Sequence, residues 1–270
     1  MVQTLVGHEK GLCDCAWSND DKFIATASDD MLIFIWDCLS GNCIRSLSGH
    51  SSSVTCCAFN FLKNNLLASG SLDETIRLWD IKNGKCILTI PAHADPITSI
   101  CFCIDGSVVF TGSYDGYCRF WDVCSGACLK SISVLGSSTT SISFLSCTPN
   151  PSFILIGTLS DAIVIVDINS GKTVKKYSSH KNKEFCLPAS YVKSENSELI
   201  LCGSENGHFF VWDAISQQIL QTITTSETCA QKQLSNSVVA VIAGGRQKVL
   251  ASFFLKNDLD NKKLKIWTLL

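Results

Sequence analysis

The chain has 270 residues, 46% of them hydrophobic, with a formal net charge of −2 and a pI near 6.2. That length and apolar content support a sizeable buried core. With no clustering of Lys and Arg, broad phosphate-driven nucleic-acid binding is excluded, and no apolar run approaches the ~18–20 residues of a membrane span.

In chain order, residues Met1 to His8 lack the charged start and long apolar stretch of a signal peptide. Gly7-His8 then opens a unit that closes at Leu47. Ser48-Gly49-His50 opens a second, with apolar runs Val54–Phe59, Leu66–Gly70, Thr75–Trp79 and Lys85–Ile90. The turns Ser71–Glu74 and Asp80–Gly84 divide its later runs. Short β-branched or aromatic runs parted by Gly, Asn and Asp predict an antiparallel meander. Ala92-His93 to Ile132 is a third copy. A fourth, from about Leu135, has lost both His and Trp. The fifth, from Ser179-His180, keeps His180 and Trp212 but has Asn206 at its turn. The sixth, from about Thr224, carries a charged insert, Lys256 to Lys263, expected to be an exposed loop.

Each third run ends on Trp-Asp or a relic of it: Trp36-Asp37, Trp79-Asp80, Trp121-Asp122, Val166-Asp167, Trp212-Asp213 and Ile266-Trp267. From Trp36 the steps to Trp79, Trp121, Val166, Trp212 and Trp267 are 43, 42, 45, 46 and 55 residues. A period of ~40–45 residues closing on Trp-Asp marks four-stranded propeller blades. The expected architecture is all-β, a single propeller domain over 1–270 with six four-stranded blades; an incomplete seven-bladed propeller is the alternative. The last repeat stops after its third run, and Val2–Leu5 match the fourth-run pattern of Ile219–Ile223. Strand 2–5 is therefore expected to close the last blade with 219–270 and hide two sheet edges.

Sixteen cysteines raise the question of metal or disulfides. No Cys-x-x-Cys pair exists and no His completes a zinc set. Cys13/Cys15 and Cys101/Cys103 alternate along runs, and Cys43, Cys86 and Cys128 recur just after a turn. They are read as small buried residues in a reducing compartment, cytosolic or nuclear. No metal and no cofactor are expected.

Three repeats each place a His, a hydroxyl, an Asp and a Trp at matching positions. The sets are His8, Thr26, Asp30 and Trp36; His50, Ser69, Asp73 and Trp79; and His93, Thr111, Asp115 and Trp121. One such set alone resembles a Ser-His-Asp hydrolase triad. Recurrence argues against that, because a catalytic site is normally built once. The expected role is a buried relay in which Asp orients His, His meets the hydroxyl and the hydroxyl meets the indole N–H. Phosphate-cradling glycine loops are absent, Gly244-Gly245-Arg246 reads as a hairpin turn, and Asp29/Asp30 sit in a turn.

Thr26-Ala27-Ser28-Asp29-Asp30, Ser69-Gly70-Ser71-Leu72-Asp73-Glu74, Pro91 to Ile97, Ser113-Tyr114-Asp115-Gly116 and Ser179 to Lys183 carry a closer likeness. They resemble WD40 repeats of the WD repeat-containing protein 5 family, whose members are subunits of histone lysine methyltransferase complexes. The likeness is good from residue 1 to about 222 and poor beyond. That family is seven-bladed, and this chain starts at what would be its second blade. The resemblance implies a non-enzymatic scaffold that binds an arginine-bearing peptide in a central channel. The first-strand positions Cys13, Thr55, Thr98, Ser143 and Cys186 would line it, with Asp29 and Tyr114 at its mouth and Phe185 where the family has tyrosine. Two phenylalanines grip the arginine in the family; Thr55 and Pro188 stand there. Loss of both cation–π faces, at roughly 0.5–2 kcal/mol each, implies affinity weaker by about ten- to several-hundred-fold.

A second implied surface, a partner-subunit groove, would use Asn150, Phe153 and Ile165. Lys193 and Ile215 replace an apolar and an amide residue there. Implied partners are peptide segments of other proteins, methyltransferase core subunits and a histone tail among them. Direct nucleic-acid or membrane contact is not implied; the protein would be a monomer within a complex, nuclear or cytoplasmic. The alternative is a generic WD40 adaptor in a ubiquitin-ligase or RNA-processing complex.

Overall fold

The computed structural model describes residues 4–63, 65–134, 140–193, 197–224, 234–243, 246–255 and 264–268, with side chains described to Ile223. Every element assigned among them is a β-strand. The chain divides into two compact units, residues 1–145 and 146–270.

The first unit holds three antiparallel meanders, each paired in chain order. They are β1 (Leu12–Trp17), β2 (Phe23–Ser28), β3 (Leu32–Asp37) and β4 (Cys43–Ser48); β5 (Val54–Phe59), β6 (Leu66–Ser71), β7 (Thr75–Asp80) and β8 (Lys85–Pro91); and β9 (Ile97–Phe102), β10 (Val108–Ser113), β11 (Tyr117–Asp122) and β12 (Cys128–Ser133). A fourth meander comprises β13 (Ile142–Cys147), β14 (Phe153–Thr158), β15 (Ala162–Asp167) and β16 (Thr173–Tyr177). In the second unit a fifth follows as β17 (Ala189–Lys193), β18 (Glu198–Gly203), β19 (His208–Asp213) and β20 (Ile219–Thr224). The last sheet, β21 (Leu234–Ala243), β22 (Arg246–Leu255) and β23 (Leu264–Thr268), has three strands among the described residues. Of the strand expected to complete it, residues 1–3 lie outside the described residues, and Thr4 and Leu5 belong to no strand. The insert 256–263 and Gly244-Gly245 also lie outside them.

Two irregularities recur. Between the third and fourth strands the register shifts just before the Trp or its replacement: at Ile35/Trp36, Leu78/Trp79, Phe120/Trp121, Ile165/Val166 and Val211/Trp212. Between first and second strands, Leu12/Asp14 and Val54/Cys56 skip Cys13 and Thr55, and Ile97/Ser99 skip Thr98. A bulge inserts one residue, bends the strand and re-aims that side chain.

The Asp of each Trp-Asp closes the following turn. Asp37 Oδ1 accepts the Ser40 N–H at 2.8 Å, Asp122 that of Ser125 at 2.7 Å and Asp167 that of Ser170 at 2.6 Å. The turn then needs a left-handed residue, supplied by Gly41, Gly84, Gly126 and Gly171 at φ 66–71° and by Gln217 at φ 63°.

In the first unit neighbouring sheets stack face to face. Val54, Cys57 and Phe59 of the second sheet pack with Ala25, Ala27, Ile33 and Ile35 of the first. Ile97, Ile100 and Phe102 of the third pack with Ala68, Ile76 and Leu78 of the second. Fully burying one such side chain contributes about 1.5–3 kcal/mol, so this repeated contact is a main source of stability. The first sheet differs. Its matching residues Leu12 and Trp17 are 62% and 58% exposed, against 0% and 6% for Val54 and Phe59.

The cysteines among the described residues are free thiols. The expectation that they are buried holds for Cys56, Cys57, Cys118 and Cys202 but not for Cys13, Cys15, Cys43, Cys124, Cys128 and Cys186, which are exposed. Cys43 and Cys128 lie on outer strands, where alternation sends every second side chain to solvent.

Candidate functional site

The three His sets form closely similar networks. His8 Nδ1 meets Asp30 Oδ2 at 2.7 Å, its Nε2 meets Thr26 Oγ1 at 2.7 Å, and Trp36 Nε1 donates to the same hydroxyl at 2.8 Å. His50 meets Asp73 at 2.9 Å and Ser69 at 2.7 Å, with Trp79 donating to Ser69 at 2.8 Å. His93 meets Asp115 at 2.9 Å and Thr111 at 2.8 Å, and Trp121 donates to Thr111 at 2.8 Å. Each Asp also accepts backbone N–H groups on both sides of its turn, such as Ser51 and Thr75 for Asp73. Burial alone would raise the Asp73 carboxyl; hydrogen bonds from Thr75, Ser51 and His50 outweigh that and bring it to about 2. Asp115 is lowered further in the same way, by His93 and by Arg119, whose guanidinium lies 2.6 Å from it. Burial lowers His50 and His93, with the facing carboxylates opposing. The hydroxyls that a nucleophile would need are held between an imidazole and an indole inside each sheet. Three equal, buried networks fit a structural role.

The fourth and fifth repeats depart from this pattern differently. At the hydroxyl position the fourth has Ile156, wholly buried, and Val166 replaces the Trp. Removing all partners together in this way is close to neutral. The fifth retains His180 and Trp212, with ring centroids 5.7 Å apart, but offers Cys202 and Asn206 in place of hydroxyl and Asp. Both His180 ring nitrogens are buried without a hydrogen bond. Burial lowers its pKa to about 4, against the opposing pull of Asp161 and Glu205.

The bulges supply the second group of residues. Cys13, Thr55 and Thr98 are the skipped residues of β1, β5 and β9. Thr55 Oγ1 donates to Ile97 O at 2.6 Å and Thr98 Oγ1 to Ile142 O at 2.8 Å, so each hydroxyl fastens one first strand to the next. In the first sheet Asp14 does this instead, its Oδ2 accepting the Cys57 N–H at 2.9 Å. Burial raises Asp14 to about 6, opposed by its hydrogen bonds from Cys57 and Cys15. Cys13 Sγ donates to the exposed Asp29 Oδ1 at 3.3 Å; part of the residue reaches solvent, but the desolvation of its thiol, then the Asp29 bond, push it to about 12. Cys13 is therefore held protonated, with little nucleophilic character.

At the same end, Tyr114 is 38% exposed and its carbonyl accepts Ser141 Oγ at 2.9 Å. Ser143 is buried. The first unit thus places Cys13 against Asp29 and holds Thr55 and Thr98 on consecutive strands. Phe185 and the exposed Cys186 belong to the second unit, where Glu205 Oε1 accepts the N–H groups of Lys183, Glu184 and Phe185 at 2.8, 2.7 and 3.0 Å.

Of the implied partner-subunit groove, Asn150 caps its own turn, its Oδ1 accepting the Ser152 N–H at 3.0 Å. Phe153 is half-buried on β14, while Ile165 is only 6% exposed and faces the core. Lys193 pairs with Glu198 at 2.9 Å, and Ile215 is 65% exposed. Composition and spacing do not reveal Asp14 or the Arg119–Asp115 pair; an Arg two residues before the Trp, as at Arg77 and Arg119, was the available signal.

Among the described residues, no group of three or more His, Cys, Asp or Glu could hold a metal ion. Nor is any helix there long and apolar enough to cross a membrane.

A family model described as the WDR5 beta-propeller domain matches residues 1–268. Curated relatives match shorter stretches. An uncharacterized WD repeat-containing protein of Schizosaccharomyces pombe is 27% identical over 99 residues, 34% of this chain and 33% of that protein. Polyadenylation factor subunit 2 of Neurospora crassa is 34% identical over 65 residues, 24% of this chain and 10% of that protein. The human U5 small nuclear ribonucleoprotein 40 kDa protein is 38% identical over 52 residues, 19% of this chain and 15% of that protein. The chain thus spans a third or less of the length of these relatives.

Proposed function

The chain belongs to the WDR5 beta-propeller domain family, an all-β WD40 fold of protein-binding scaffolds, and from that premise we propose that it is a non-enzymatic scaffold presenting the Cys13–Asp29–Tyr114 surface to a short arginine-bearing peptide. The observation that carries this reading is the contrast between the two sets of polar groups. The His, Ser, Thr and Trp groups are spent inside the sheets, whereas Asp29 and Tyr114 are exposed at the ends of strands carrying the bulges. A carboxylate and an aromatic ring are each groups that recognise a guanidinium. Thr55 stands where the resemblance has an aromatic clamp, and its hydroxyl proton is committed to Ile97 O; affinity is therefore modest.

The finer reading, a subunit of histone lysine methyltransferase complexes, rests on the family and on the loop strings. Purified methyltransferase core subunits should co-elute with the chain. An arginine-bearing histone-tail peptide should bind with a dissociation constant in the micromolar range, weakened at least fivefold by Asp29→Ala or Tyr114→Ala. No binding at high micromolar peptide would sink the peptide reading. A second reading, an adaptor in RNA processing, is favoured by likeness to a polyadenylation factor and a small nuclear ribonucleoprotein protein. Co-elution with subunits of such a particle, and not with methyltransferase subunits, would select it.

A further inference from the structure

Arg77 and Arg119 hold the same position on β7 and β11, two residues before the Trp. Their partners differ. Arg119 lies 2.6 Å from Asp115, donates to Ala92 O at 3.1 Å and packs over the Tyr117 ring. In the second sheet Thr75 takes the place of Tyr117, and its hydroxyl donates to Asp73 Oδ1 at 2.7 Å. Arg77 makes no ion pair among the described residues. Its Nε is buried without a hydrogen-bond partner, and its guanidinium lies 5.9 Å from the centre of the Trp79 ring. What remains is a bond from Nη1 to the Cys86 sulfur at 3.7 Å.

Cys86 and Cys128 match in the same way, each paired with the Trp of its own sheet across the third and fourth strands. Both thiols donate to the carbonyl two residues on, Leu88 O at 3.4 Å and Lys130 O at 3.6 Å. Of the two, only Cys86 has a guanidinium against it, with the Thr89 hydroxyl 3.5 Å away. Asp80, paired with the neighbouring Lys85, is engaged by Asn83 at 2.6 Å. Exposure runs the other way: Cys128 is exposed and Cys86 half-buried. Both belong to the first unit.

The thiolate is the nucleophile, and reactive cysteines sit partly exposed beside Arg or Lys. Attack on a peroxide spreads negative charge over the sulfur and the oxygens, and donors already in place stabilise it. Arg77 has donors that no carboxylate occupies, whereas Arg119 has committed its own to Asp115. We propose that Cys86 is a peroxide-reactive thiol, oxidised to a sulfenic acid beside Arg77. The thiolate sulfur attacks one peroxide oxygen; the S–O bond forms, the O–O bond breaks and hydroxide leaves, so sulfur gives two electrons to the peroxide. The modification uses neither Asp29 nor Tyr114, so it stands or falls apart from the proposed peptide surface.

The test treats the reduced chain with dilute hydrogen peroxide in the presence of dimedone, which tags sulfenic acids, and reads each cysteine by tandem mass spectrometry. Exposure alone ranks Cys128 ahead of Cys86. The guanidinium reverses that order, and Cys86 should be tagged about tenfold faster. Arg77→Met should bring Cys86 down to the Cys128 rate or below it and leave Cys128 unchanged, while Arg77→Lys should keep part of the advantage. Cys118, wholly buried, monitors the fold and should stay untagged in each variant. Cys128 tagged as fast as Cys86 in the original chain would overturn the proposal whatever the variants do. So would an unchanged Cys86 rate in Arg77→Met with Cys118 untagged.

Discussion

His180 offers the sharpest test of the relay. It holds the place of His50, yet the residues ten and six before Trp212 are Cys202 and Asn206, where Ser69 and Asp73 stand before Trp79. Both of its ring nitrogens are buried and unbonded. An unsatisfied buried polar group costs about 1–3 kcal/mol. Cys202→Ser with Asn206→Asp would restore the hydroxyl and the carboxylate, and the pair should stabilise the protein by about 2 kcal/mol. For a protein of this size that raises the melting midpoint by roughly 4 °C. The pH dependence gives a second readout. His180 titrates near 4 when folded, below its ordinary 6.5. Its folded pKa is depressed, so the unfolded chain binds the proton more readily, and stability is lost as pH falls from about 6.5 to about 4. The loss amounts to about 3 kcal/mol across that window. In the double variant the new carboxylate at position 206 would pair with the imidazolium, and most of the loss should vanish. Chemical denaturation of the original and double variant at pH 7.5 and 5 measures both effects. Equal stability at pH 7.5, together with an unchanged acid loss, would refute the view that relay partners, not burial alone, set the energy of these histidines.

Other substitutions probe separate links. Ser69→Ala strands Trp79 Nε1 and His50 Nε2 in a buried site and should cost about 2–4 kcal/mol by calorimetry; a cost below 1 would make the network incidental. Thr98→Val removes the donor to Ile142 O and should lower stability by about 1 kcal/mol in urea titration, whereas no change would show that the bulge hydroxyl holds nothing. Gly112→Ala would set a Cβ 2.5 Å from Ile142 Cγ2 and 2.9 Å from Ser99 Oγ, an overpacking cost of about 1–3 kcal/mol visible as a lower midpoint. Gln217→Gly relieves a left-handed residue at φ 63° and should raise stability by about 0.5–1 kcal/mol despite losing the 3.3 Å bond from Lys176 N–H.

Much of the site was legible because its signals are local and repeated. Trp36, Trp79 and Trp121 mark the third strand of each unit, and His, hydroxyl and Asp recur at near-constant offsets from them, which is enough to pair them on paper. Thr55 and Thr98 were legible as residues near the start of each first strand, but the use of their hydroxyls was not. A bulge depends on how two strands count against each other, and its hydrogen bond reaches 42 residues onward to another sheet in the case of Thr55. Exposure was similarly hidden. Leu12 and Val54 look alike in sequence, yet one is 62% exposed and the other 0%, because the first sheet packs over Val54.

Sequence alone thus determined the repeat, the all-β class, the residues of each relay and the Asn206 that replaces the turn Asp of the fifth. These follow from period, turn chemistry and side-chain type, all carried within about 45 residues. Only the tertiary structure decided that Asp14, Thr55 and Thr98 bridge successive first strands, that Ile165 is core and that six cysteines are exposed. Those outcomes depend on register and on which faces meet, and both arise from packing between repeats.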